Sequence, residues 1–439
     1  MEPRSEQQDV AVDAGHTAGV TDGGMARRAY AWRRHLARVV GAVGVACGLG
    51  EVGWAQDAKA TPRRVTTPPF VIESDSGDNR LQIGGFLQAE GRFALKDDQQ
   101  RVTDTFAMRR FRLILQGKLA RHFEFYWNTD FSNNTLTLRD AYFDTVFSPA
   151  LRLRVGKQKA PFSYDRLLIV SQTIFQERGM STNVAPDRDT GVQVLGDLAK
   201  GVVSYAAMVG NGPADGQIAE SDTNDAKESY GRVMLRPFAR NAKHPLATLS
   251  AGVAASTGTQ AGPVATFLSP GRQPFFTYAS GTTGVGRRAR WSPQAVYLHG
   301  PFWGYAEWVR SRGDMARGGV REAVDHTSWQ VSGSWVLTGE AAAERNVRPR
   351  LEFDPHNGHW GALQAVARYQ RLYVGDNAFT SGLAASGTSR RAASWVAGLN
   401  WYMNPLVKWQ LNVERTVFDR NTGTRRPENM LTLQAQFGL

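Results

Sequence analysis

Phe123-Glu124-Phe125-Tyr126-Trp127-Asn128-Thr129-Asp130-Phe131 is the stretch on which the fold turns. Phe123, Phe125, Trp127 and Phe131 alternate with Glu124, Tyr126, Asn128 and Asp130, a period of two that an extended strand resolves into one apolar and one polar face. The same alternation sets Trp329, Val331, Gly333, Trp335 and Leu337 against Gln330, Ser332 and Ser334, and Val407, Trp409, Leu411 and Val413 against Lys408, Gln410, Asn412 and Glu414. Up to the last residue, Leu431, Leu433, Ala435, Phe437 and Leu439 alternate with Thr432, Gln434, Gln436 and Gly438. A strand with lipid on one side and water on the other has this pattern, but so does a strand of a soluble sandwich. Connection lengths therefore decide between them.

About sixteen strands are predicted, from 81–93 to 430–439. Tight connections fall at 120–121, 148–150, 199–201, 300–301 and 404–405. Longer ones separate them, at 96–105, 158–188, 212–227, 256–286, 372–391 and 419–429. Short turns at one end and long loops at the other are the mark of an all-β, transmembrane antiparallel β-barrel. Two connections run against the scheme: 132–135 is short where a long loop is due, and 339–359 is long where a turn is due. Pro293, inside a strand, predicts a bulge or a misplaced boundary.

The first 55 residues read as a signal peptide: Arg27, Arg28, Arg33, Arg34 and Arg38 precede the small, apolar stretch 39–50, and Gly53 and Ala55 suit cleavage before Gln56. Met25 makes a better start than Met1, so residues 1–24 are read as start-site overrun. Cys47 lies in the signal, with Gly44 where a lipidation site would place a branched aliphatic, and the mature chain has no cysteine. Residues 56–80 are polar and aperiodic and read as a periplasmic linker, leaving 81–439 as the barrel. Mean hydropathy of −0.37 and the lack of a long apolar run in the mature chain argue against a helical membrane protein. The signal segment carries as many acids as bases, so the net charge of +12 belongs to the mature chain and points to anionic partners. Nothing suggests nucleic acid as one of them.

Several segments in a fixed order carry a family resemblance: Met108-Arg109-Arg110-Phe111-Arg112 with Gly117, Asp140-Ala141-Tyr142, Gly156-Lys157-Gln158-Lys159-Ala160-Pro161-Phe162, Glu177-Arg178, 186–191, Leu337-Thr338-Gly339-Glu340 and 398–405. On these the sequence resembles the phosphate-selective porin O and P family of Gram-negative outer membranes. The resemblance implies a sixteen-stranded barrel, a homotrimer, and a loop folded into the lumen as a constriction. It also implies an outer-membrane location, reached through the periplasm, beside lipid and lipopolysaccharide.

With apolar positions toward lipid, the opposite face of each strand lines the lumen. Arg92, Arg110, Arg112, Lys118, Arg152, Arg154, Arg232, Arg236, Arg288, Arg290, Arg368 and Lys408 fall there, against Glu90, Glu124, Asp130, Asp140, Asp144, Glu307 and Glu414. Rings of Arg and Lys select anions, and the planar guanidinium fork matches phosphate oxygens in pairs. The expected pathway combines Arg110, Arg112, Arg152 and Arg154 on strands with Lys157, Lys159, Arg166, Arg178 and Arg188 in or beside the long connection 158–188. Asp165, Glu177, Asp187 and Asp189 in that segment would offset part of its charge. A water-filled, anion-selective channel for phosphate or related oxyanions is the expected function, with a general anion porin as the alternative.

No cofactor or metal is expected: His356 and His359 lack a third ligand and suit a polar turn. Gly281, Gly284 and Gly286 lack the strand-to-helix context of a phosphate-cradling loop. The scattered histidines supply no hydrolytic triad, so no enzyme is expected, and a barrel-type hydrolase or adhesin is the weaker reading. Trp127, Trp401 and Tyr402 read as membrane-interface girdle residues.

Overall fold

The computed structural model describes residues 70–95, 103–219, 224–419 and 425–438. The signal segment and residues 56–69 of the linker lie outside them. The strands are β1 (Phe70–Glu73), β2 (Arg80–Ala94), β3 (Thr105–Leu119), β4 (Phe123–Asp130), β5 (Thr137–Ser148), β6 (Leu151–Lys159), β7 (Arg188–Leu198), β8 (Val203–Gly210), β9 (Glu228–Leu235) and β10 (Ser250–Gly262). They continue with β11 (Phe267–Leu268), β12 (Pro274–Phe276), β13 (Thr283–His299), β14 (Phe302–Arg317), β15 (Val320–Val336), β16 (Ala362–Val374), β17 (Arg391–Tyr402), β18 (Val407–Phe418) and β19 (Glu428–Gly438).

Each of β2 to β10 pairs antiparallel with the next, β10 passes to β13, and the sequence continues to β19, which pairs back with β2. The result is a closed, sixteen-stranded antiparallel barrel without a free edge, the condition a sheet must meet in hydrocarbon. Among the described residues no helix is long and apolar enough to cross a membrane. β1 lies in the stretch read as linker. It extends the ladder on β2 where β19 stops: Gly438 opposes Phe86, and Phe70 to Glu73 oppose Ile83 to Arg80. Four residues are too few for periodicity to register, and pairing with an otherwise open stretch of β2 stabilises them.

The alternation is realised throughout. Phe111, Leu113, Trp127, Phe143, Val331, Trp335, Trp395 and Val413 are exposed on the outside, while Arg112, Asn128, Asp130, Gln330, Ser332, Ser334, Lys408 and Gln410 are buried within. Tyr402, expected in the girdle, instead points inward, fully buried, and donates to Gln364 Oε1 (2.8 Å). Two expected irregularities take other forms. Pro293 stays in register opposite Val253 at an outward position, and the register shift of β13 against β14 falls between Gly284 and Arg288. The connection expected over 256–286 shrinks to 263–282, because Ser256, Gly258 and Gln260 continue β10 in register with β13. Small and polar inward residues made that strand look like a loop.

Seven connections close one mouth of the barrel, among them 120–122, 149–150 and 300–301. Two in this set are long, 236–249 and 337–361. The other mouth carries the longest connection, 160–187, together with 211–227, 263–282, 375–390 and a two-glycine turn at Gly318 and Gly319. By loop length the second mouth is external.

Candidate functional site

The connection 160–187 does not rise from the external mouth; it folds into the barrel and seats on the wall formed by β13 to β19. Tyr164, Leu168, Ile174 and Phe175 pack against Val296, Trp303, Tyr305, Val366 and Val396. Its backbone is held by amides and one ammonium of that wall. Gln410 and Asn400 donate to the Ile174 carbonyl (3.2 and 3.0 Å), Lys408 Nζ to those of Ser171 and Thr173, and Gln436 to that of Ser171. Buried Glu307 accepts from Ser163 Oγ (2.9 Å), Ser181 Oγ (2.6 Å) and the Tyr164 amide (2.6 Å). Buried backbone groups must find partners, and this wall supplies them.

Water is left the other half of the lumen, along β2 to β8. An external vestibule of about 410 Å³ is lined by eight arginines against four carboxylates. An inner chamber of about 670 Å³ follows, sharing Arg112, Val170 and Arg188 with the vestibule. A third cavity toward the opposite mouth shares Arg152, Arg154, Tyr126 and Tyr142 with the chamber. Each cavity thus shares arginines with the next.

Two carboxylates organise the vestibule. Glu177 has the guanidinium groups of Arg109 (2.6 Å), Arg110 (3.7 Å) and Arg92 (3.8 Å) around it. Asp187 likewise has Arg188 (2.9 Å), Arg166 (3.1 Å) and Arg139 (3.4 Å). Burial alone would raise the pKa of both acids, but Arg109 and Arg110 on one, and Arg166, Arg188 and Arg139 on the other, outweigh it and hold them well below the usual carboxylate range. Both acids stay ionised, and each gathers three guanidinium groups. Glu90 also pairs with Arg92 (2.6 Å) and Asp140 with Arg188 (2.9 Å), so each cluster sets three cations against two carboxylates and keeps a surplus of positive charge.

Among the expected pathway residues, Arg110, Arg112, Arg166, Arg178 and Arg188 meet in the vestibule, with Arg112 also bonded to Asp130 (2.9 Å) and Arg178 to Asp165 (3.3 Å). Arg152, Arg154 and Lys159 line the inner chamber. There Arg154 grips Asp144 with two nitrogens (2.7 and 2.8 Å) above the Tyr142 ring, Arg152 reaches Glu124 (2.7 Å), and Lys159 Nζ donates to the Leu167 and Leu168 carbonyls. Lys157 is buried in β6 and falls outside the lining of all three cavities. Arg236, expected inward, sits beyond β9 and donates to the Gly201 carbonyl (3.0 Å) at the barrel rim.

Three vestibule arginines escaped the alternation. In β3, Gln88 opposes Arg110 and Ala89 opposes Met108, so Arg109 is an extra residue; in β5, Asn128 opposes Asp140 and Thr129 opposes Leu138, so Arg139 is another. Each bulge turns one more guanidinium into the lumen, the re-aiming that bulges perform beside functional sites. The adjacent pair Arg109-Arg110 was the available signal. Arg272 arrives from the connection 263–282, which no strand pattern describes.

Solved structures share the architecture. The outer membrane channel DcaP of Acinetobacter baumannii aligns with a TM-score of 0.54 at 11% identity, covering 84% of this chain and 99% of that one. An anion-selective porin from Comamonas acidovorans aligns at 0.53 and 11%, covering 82% and 100%, and OmpF of Salmonella typhi at 0.53 and 11%, covering 84% and 100%. At these identities the likeness is one of fold. No curated protein sequence matches. The family described as phosphate-selective porin O and P matches residues 81–439, the whole barrel. This chain, with its sixteen strands and its inward loop, belongs to that family of outer-membrane porins.

Proposed function

We propose that the channel is selective for small anions, with phosphate and related oxyanions preferred. The observation that carries this reading is the vestibule's lining of eight arginines against four carboxylates, with Arg109 and Arg110 gathered on Glu177 and Arg139, Arg166 and Arg188 on Asp187. Guanidinium forks bind phosphate oxygens bidentately, and several moderate sites conduct better than one tight one. Arg152 and Arg154, about 7 Å apart along one strand face, extend the series toward the inner mouth. The anion-selective character of the Comamonas acidovorans porin is in line with this reading.

Titrating phosphate into a chloride bath while recording single channels tests it. Phosphate should block chloride current in a saturable way, and the double variant Arg152→Gln, Arg154→Gln should weaken that block several-fold. Equal chloride current at every phosphate concentration would leave a general anion porin. The reading also includes a homotrimer, export after loss of residues 1–55, and conduction rather than catalysis. Cross-linking in native membranes and amino-terminal sequencing test the first two.

A further inference from the structure

The outer surface of the barrel carries a second cationic feature, on β14 to β17 and facing away from the lumen. On β13 to β17, Trp291 and Trp308 (ring centroids 4.7 Å apart) and Trp329, Tyr369 and Trp395 (5.3 and 4.1 Å) form two ring-contact groups, and Trp308 opposes Trp329 in the strand register, so the five make one aromatic row. Such a row marks the membrane interface. Beside and above it, toward the external mouth, the outward positions become arginines. Arg310 opposes Thr327, Thr327 opposes Tyr373, and Tyr373 opposes Arg391, while Arg371 flanks Trp329.

Height follows from strand geometry. Arg310 lies eight residues above Phe302 at the inner end of β14, about 27 Å along the strand and about 20 Å along the membrane normal at a tilt near 40°. That is close to the top of an apolar band about 25 Å tall, where an outward arginine costs about 0 to 1 kcal/mol rather than the 2 to 4 of the midplane. These arginines therefore stand at the external headgroup level.

Charge there is uneven. Arg310 (2.8 Å) and Arg312 (3.2 Å) share the single carboxylate Asp325, and Arg321 neutralises Asp314. Arg371 and Arg391 form no ion pair among the described residues. Between β14, β15 and β16 the surface is concave, a shallow groove of about 600 Å³ with Trp308 on its wall, Arg310, its partner Asp325 and Tyr373 at its sides, and Asp376, which is paired with Arg390 (3.0 Å), at its upper end; Arg371 and Arg391 stand beside it. On β3 the outward residues at the same end are instead apolar: Phe106, Met108, Phe111 and Leu113.

We infer that this face is a binding site for a phosphorylated glycolipid of the outer leaflet, namely lipopolysaccharide. Its phosphate would sit between Arg310, Arg371 and Arg391, and its acyl chains would descend past the Trp308 to Trp395 row into the apolar band. The inference rests on the outer-membrane reading and is independent of what the pore conducts.

The test uses the purified full-length barrel in detergent, with lipopolysaccharide, its enzymatically dephosphorylated form, and inorganic phosphate as probes in native mass spectrometry. Lipopolysaccharide should remain bound, and dephosphorylation should weaken it at least tenfold. The triple variant Arg310→Gln, Arg371→Gln, Arg391→Gln should lose binding by a similar factor while its single-channel conductance stays unchanged, which shows that the barrel is folded. Equal retention of the dephosphorylated lipid, or unaltered binding by the triple variant, would overturn the inference. So would equal competition by inorganic phosphate, which would mark a free-anion site. Dissociation of an oligomer by the variant, with lipid binding intact, would assign the face to subunit contact instead. Loss of current in the unmodified protein would bear on the porin reading alone.

Discussion

The two halves of the lumen are both polar, yet they do opposite things. Along β13 to β19 the inward residues are mostly neutral amides and hydroxyls, such as Gln330, Ser332, Gln370, Asn400, Gln410 and Gln436, and nearly all are buried under the connection 160–187. Along β2 to β8 the cavity lining is rich in arginines, with fewer carboxylates and with Gln116, Tyr126, Asn128 and Tyr142 between them. Amides suit the first wall because each offers a donor and an acceptor at no charge, so a packed backbone can be satisfied without burying unpaired ions. Guanidinium groups suit the second because water shares their solvation and the surplus charge faces a pathway. Polarity inside a barrel thus has two uses, anchorage and conduction: the ions of the anchoring wall, Glu307 and Lys408, are bonded to the connection's own donors and carbonyls, whereas the arginines of the other wall line cavities.

Removing the anchored segment should break the contrast most severely. A variant with 164–186 replaced by a short Gly-Ser linker should conduct at least about twofold more and lose most of its ion discrimination, since lumen width and lining set both. Unchanged conductance would mean that the segment does not occupy the lumen.

A milder cut addresses anchorage alone. Ser163→Ala with Ser181→Ala leaves Glu307 short of two donors, and hydrogen bonds to charged groups are each worth about 1.5 to 3 kcal/mol. Mean conductance should hold while open-channel noise and amide exchange across 163–181 rise. Exchange as slow as in the parent would show that these hydroxyls do not hold the segment.

The smallest effect concerns pH. Glu177 and Asp187 have folded-state pKa values below their unfolded ones, so their contribution to stability is complete above the ordinary carboxylate range and is lost only as pH falls through the depressed values. Between about pH 7 and pH 5 the vestibule charge from these two acids should not change. Measured as reversal potential, the difference between the parent and Glu177→Gln should be the same at both pH values. A gap that closes by pH 5 would mean that burial wins over the arginines and lifts Glu177 above the ordinary carboxylate range.

How far the sequence foretold this division depends on the scale. Alternation places Arg110, Arg112, Arg152 and Arg154 inward because a two-residue period is strict along an unbroken strand. It misplaced Arg109 and Arg139 because a single inserted residue inverts the count, and no single-strand pattern records an insertion relative to a partner. Tyr402 was misread because a phenol serves equally at a membrane interface and on a buried amide such as Gln364. The docking of 160–187 rests on contacts between residues more than 100 positions apart, Ser163 with Glu307 for one. Local spacing holds no trace of them, and only the family resemblance pointed to an inward loop. Arg236 shows the remaining limit: a strand that ends one residue early moves its last side chain from lumen to rim.

The reversal potential of the unmodified channel in a planar bilayer under a potassium chloride gradient tests the central claim most directly. Guanidinium surplus along the open wall predicts a potential on the chloride side of zero. A potential toward the potassium limit would show that the arginines are spent on their carboxylate partners and do not set what passes.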